Sequence, residues 1–136
     1  MEPVLKAVYN ILVNDADVSA ITTAIYPVIG PENTTFPFIT MRVEGTTPHD
    51  TKSGASTVDH YFVDVDCFDV DDGTASGYSV ITDLAKKVRT ALDRVTPGTY
   101  NTIAIDGIQF LDGDQGFDKQ SDVYVVTMNY KIRVNR

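Results

Sequence analysis

The sequence predicts an α+β fold, with a mixed and mainly antiparallel sheet of four to five strands and two main helices packed on one face. Three observations predict it. Apolar residues recur at three- and four-residue spacing in two segments, at the N terminus and between residues 78 and 95. They alternate with polar residues in others, most regularly from Tyr124 to Val134. Several of the alternating segments follow one another with no helix between them, which favours antiparallel neighbours. The 136 residues suffice for one domain, since a chain near that length buries roughly 70% of its unfolded surface. No repeat or boundary interrupts them, so residues 1–136 are read as a single domain.

From Glu2 to about Val13, Val4, Leu5, Val8, Ile11 and Leu12 line one helical face, and Pro3 suits a first turn that needs no N–H donor. Val18, Ile21 and Ile25 predict one or two further turns, closed by Tyr26-Pro27, because the residue before a proline is pushed out of the helical region. Gly30-Pro31-Glu32-Asn33 is turn chemistry. From Pro37 the period falls to 2: Ile39, Met41 and Val43 alternate with Phe38, Thr40, Arg42 and Glu44. About 45–58 there is no periodicity and many chain breakers, which predicts a long mobile loop, a kind that is often functional.

Tyr61, Val63, Val65 and Cys67 form the apolar face of the next strand, opposite Phe62, Asp64, Asp66 and Phe68. Asp71-Asp72-Gly73 ends it, and Thr74 is placed to cap a helix. That helix carries the stripe Tyr78, Ile81, Leu84, Ala85, Val88, Ala91, Leu92 and Val95, with Lys86, Lys87, Arg89 and Arg94 toward its C-terminal half. Thr96-Pro97-Gly98 stops it. Ile103 with Ile105 and Ile108 with Phe110 predict two short strands about an Asp106-Gly107 tight turn. Residues 112–118 are read as a Gly-rich turn carrying Asp112, Asp114 and Asp118.

Charge and motifs narrow the function. The net charge of −8 opposes a surface that grips nucleic acid or anionic membrane, both of which want clustered Lys and Arg. A single cysteine forms no internal disulfide, no segment approaches the roughly 20 apolar residues of a membrane helix, and the start lacks a signal-peptide pattern. A soluble protein of a reducing cytoplasm is expected. The aspartates at 64, 66, 69, 71 and 72 invite a calcium reading, but a twelve-residue calcium loop begun at Asp69 has Gly73 at position 5 and Val80 at position 12, and fails. Nucleophilic catalysis would need a Ser or Cys and an orienting acid close to His49 or His60, and His49 sits in the expected mobile loop, a poor place for a precise base; Cys67 falls on an apolar face, and there is no phosphate-binding or dinucleotide motif. No catalytic residue, metal or cofactor is expected. The tyrosines fall mostly on apolar stripes and read as core rather than as stacking platforms.

The order of features resembles the tail completion, or tail terminator, family of long-tailed phages and phage-like particles. The features are the N-terminal helix, Ile25-Tyr26-Pro27, Phe36-Pro37-Phe38-Ile39, and the Val63-Asp64-Val65-Asp66-Cys67-Phe68 strand. The Ala85…Val88…Ala91-Leu92-Asp93 helix and the alternating C-terminal strand follow. The resemblance implies a structural virion protein of the tail or neck, assembled in the host cytoplasm. It implies a ring, typically a hexamer, at the head-proximal end of the tail tube. Such a ring stops tube polymerisation and presents the head–tail joining surface. Its partners are then further copies of itself, the tube protein and the connector proteins, with genome DNA passing through the lumen unbound. A neck or connector subunit is the alternative role, and a small metal-dependent enzyme a more distant one. The expected contact residues are His49, Asp50, Thr51 and Lys52 in the loop. Asp64, Asp66, Asp69, Asp71 and Asp72 are expected on a lumen or subunit face, with Asp112, Asp114 and Asp118 next.

Overall fold

A computed structural model of the chain describes residues 2–27, 36–48, 58–70, 76–93 and 95–135. The elements are α1 (Glu2–Val13), α2 (Ala16–Ser19), β1 (Ile25–Pro27), β2 (Phe38–Pro48), β3 (Val58–Val70), α3 (Ser76–Leu92), β4 (Gly98–Tyr100), β5 (Ile103–Asp118) and β6 (Val123–Asn135). The strands form one six-stranded sheet in the order β1-β2-β3-β6-β5-β4. Among the described strands, β1 and β2 run parallel and the other neighbours antiparallel. The α+β class and the mainly antiparallel sheet agree with the sequence, while the strand number is one higher than expected.

The helices share one face of the sheet. Val4, Leu5, Val8 and Leu12 of α1 and Ile81, Leu84, Val88 and Leu92 of α3 are buried. They share one core with Ile39 and Met41 of β2, Val63, Val65 and Cys67 of β3, and Met128, Tyr130, Ile132 and Val134 of β6. Alternate residues of each strand reach this core because successive side chains of a strand point to opposite faces. Tyr130 donates its hydroxyl to the Met128 sulfur at 3.5 Å, so the phenol is buried with a weak acceptor. Cys67 is fully buried, and burial pushes its thiol well above the usual range. It is a small core residue, as its strand parity predicts.

Five local expectations are corrected. Ile25 is not helical: α2 closes at Ser19, Asp15 caps it by accepting from the N–H groups of Asp17 and Val18, and the β-branched run from Ile21 leads into β1. Residues 45–48 and Val58 are strand, not loop; the rest of the expected loop, 49–57, lies outside the described residues. Asp106-Gly107 is no turn. β5 runs through it with a register shift between Ile105 and Gly107, and the extra residue, Asp106, ion-pairs with Arg133 at 3.1 Å. A bulge and a tight turn draw on the same Asp-Gly chemistry. The turn instead lies at Asn101 and Thr102, both with positive φ, between β4 and β5. Residues 112–118 likewise belong to β5, paired through Asp118 with Val123. They lacked a strand signal because all are exposed, so no apolar alternation marks them. Finally, Tyr78 and Tyr9 are surface residues, 48% and 36% exposed, rather than core.

Candidate functional site

The face of the sheet away from the helices carries no helix among the described residues, and it gathers most of the aspartates singled out in the sequence. Cross-strand pairing sets Arg42 opposite Asp64, Asp64 opposite Asn129, and Asn129 opposite Asp112. The next row is Thr40, Asp66, Thr127 and Asp114. Thus Asp64 and Asp66 of β3 and Asp112 and Asp114 of β5 share one surface although nearly 50 residues separate the pairs in sequence. Further along the same face stand Phe38 and Phe68, stacked with centroids 4.7 Å apart. Toward the other end, His60, Lys131 and Arg133 line a shallow cavity of about 400 Å³ together with Asp106 and Gln109.

Asp64 differs from the other carboxylates of this face in being buried. It is only 2% exposed. Its Oδ2 accepts from Arg42 Nε at 3.2 Å and Nη2 at 3.1 Å, while its Oδ1 is buried with no hydrogen-bond partner among the described residues. Burial raises its pKa from 3.8 to about 6, the neighbouring Glu44 carboxyl adds to the rise, and Arg42 opposes it. Glu44 lies 3.9 Å from the same guanidinium. It is the extra residue where the β2 register shifts between Val43 and Gly45, and this places a second carboxylate beside the pair. Asn129 donates its side-chain amide to Asp112 and so spans the gap between β3 and β5.

The remaining aspartates separate from this group. Asp69 has the parity of Val65 and Cys67 and is buried on the helix side, where its Oδ1 accepts from the Val70 N–H at 2.8 Å. It cannot share a surface with Asp64 and Asp66. Asp118 is exposed at the end of β5 and its Oδ1 accepts from the Gln120 N–H at 3.0 Å. That bond and one from Ser121 hold its carboxyl below the usual range, so its visible role is to fix the β5–β6 turn, where Asp122 has positive φ. His49, Asp50, Thr51, Lys52, Asp71 and Asp72 lie outside the described residues. Arg42, Glu44, Asn129, Lys131 and Arg133 were missed as members of this face. Their strand parity is visible in the sequence, but which residues they oppose depends on register.

A second feature lies on the helix side at the β5 flank. Tyr124 meets Tyr78 edge-on at 5.7 Å and Phe117 at 4.7 Å, and these rings line a groove of about 250 Å³ between the start of α3 and β5. The groove continues past Gln115 to Phe110, on whose ring Arg89 is stacked at 3.9 Å. Among the described residues no group of three or more His, Cys, Asp or Glu is placed to hold a metal ion. Among the described residues, the open face and the groove present charges, amides and aromatic edges.

The family model of tail completion protein gp17 matches residues 6–135. Among solved structures, the chain is similar to one from the virion of a native gene transfer agent particle. The TM-score is 0.73 at 22% identity, covering 97% of this chain and 94% of that one. No curated protein matches in sequence.

Proposed function

The chain belongs to the tail completion protein gp17 family, and we propose that it is the tail terminator of a phage or phage-like particle. Copies of it form a ring, hexameric in this reading, on the head-proximal end of the tail tube. The single observation that carries this reading is the family match over nearly the whole chain. The similarity to a chain of a gene transfer agent virion supports a fold suited to such a particle. The mechanism is templated association. One side of the ring binds the last ring of tube protein, and the other side offers no surface that a further tube subunit recognises, so growth stops. That other side receives the head connector. A ring forms because a heterologous contact repeated around a closed axis leaves no free end.

Two physical points support the role. A compact chain of this length has a radius of gyration of about 14 Å, so six touching copies leave a hole wide enough for a DNA duplex. A net charge of −8 per copy makes the whole ring repel phosphate, and DNA then slides through without sticking. The carboxylates at 66, 112 and 114 are the candidates for that lining. The test is tail length, by electron microscopy of particles assembled without this protein. Overlong tails that never join heads are the expected result. Tails of normal length beside unjoined heads would transfer the protein to the connector role.

A further inference from the structure

We propose that the uncovered edge of β5 pairs with the uncovered edge of β2 in a second copy of this chain, joining the sheets of neighbouring copies head to tail. The inference rests on the ring reading above and adds to it the surface that would hold the ring together. β4 covers β5 only at Ile103–Ile105, and β1 covers β2 only at Ile39–Met41. Among the described residues, no strand pairs with the outer side of β5 from Gly107 to Asp118, or with that of β2 from Arg42 to Pro48. Folded proteins rarely leave a bare edge this long, because its unpaired N–H and C=O groups recruit other strands. The two bare stretches lie on opposite sides of the sheet, the arrangement that a head-to-tail contact requires.

Side chains at these edges argue for a different edge as partner rather than the same one. Pairing β5 with itself would set Asp112, Asp114 and Asp118 against their own copies, and facing like charges are unfavourable. The β2 edge instead presents Arg42, whose exposed guanidinium heads the row that Asp112 ends. Glu44 tempers that charge, so backbone pairing and apolar cover have to supply most of the attraction. The exposed large apolar residues are distributed to match. Leu111, Phe117 and Tyr78 stand at the β5 flank, while Tyr9 lies beside β1 and Phe36 just before the start of β2. A head-to-tail joint on the β5 edge covers the first group.

Hydrogen exchange of the free chain and of the chain in assembled tails tests this directly. Peptides spanning 107–118 and 42–48 are expected to slow at least tenfold on assembly, while the outer side of α3 is unchanged. The variant Leu111→Lys/Asp114→Lys puts lysines on the β5 edge, a natural device against strand addition. It should keep the wild-type circular dichroism spectrum and raise the concentration needed for self-association roughly tenfold or more. Rings that form with neither edge protected, or that persist unchanged in the double variant, overturn this interface and leave the ring reading standing. Assembled tails that carry this protein but no ring of it sink both.

Discussion

Along β6, Met128, Tyr130 and Ile132 are buried under the helices, while Thr127, Asn129 and Lys131, each one residue away, stand on the helix-free face. The two faces of this one sheet obey different rules. On the covered face each side chain is held by many neighbours, so volume decides and most changes cost stability. On the open face a side chain touches only its cross-strand partners, so charge can vary with little effect on folding. An assembly protein needs that separation, since its contact surface has to be matched to partners without disturbing the core. Asp64 breaks the rule, because it lies on the open face and is nevertheless buried.

The comparison is tested most severely by removing covered-face volume. Ile132→Ala should cost about 2–5 kcal/mol, through lost transfer energy and the cavity left behind, read as a shift in the denaturation midpoint. A loss below 1 kcal/mol would mean that the helices do not pack as described. Next comes the exception. Arg42→Met leaves the Asp64 carboxylate buried beside Glu44 and should cost about 1–3 kcal/mol at neutral pH. Replacing both partners, as Arg42→Met/Asp64→Asn, should recover much of that loss, because no unpaired charge is then buried.

A smaller effect concerns pH. The folded pKa of Asp64, about 6, lies above its ordinary value of 3.8, so the folded state binds a proton that the unfolded chain releases. The resulting stabilisation is complete below pH 4 and disappears as pH rises through 6; its upper bound is about 3 kcal/mol. Asp64→Asn should therefore flatten the stability profile between pH 4 and pH 7 relative to wild type. Parallel profiles would mean that Asp64 is solvated. At the bottom of the scale, Asp114→Ala on the open face should change stability by less than about 0.5 kcal/mol while altering the charge available to neighbours.

The covered face was the legible part. The first and third helices and β6 carry unbroken apolar periods, since burial on one side imposes the pattern that the sequence displays. The second half of β5 was illegible for the converse reason. From Leu111 to Asp118 nothing is buried, so backbone pairing alone makes it a strand, and pairing leaves no mark on composition. β4 is too short to show a period. At the candidate site, the shared parity of Asp64 and Asp66 was visible, and the parity of Asp69 already set it apart. Bringing Asp112 and Asp114 to the same surface required knowing that β5 continues past its bulges. The burial of Asp64 depends on Arg42, 22 positions earlier, and on the irregularity that swings Glu44 toward both.

The buried sulfur of β3 has a practical consequence. Cys67 is the sole cysteine of the chain, and it is both inaccessible and reluctant to ionise. Maleimide and methanethiosulfonate reagents attack thiolates that solvent can reach, so the native fold is silent toward them. Any cysteine introduced at the rim is then the only reactive handle. A spin label or a dye pair at one such position tests whether copies come together as in the proposed ring, with the natural core left intact.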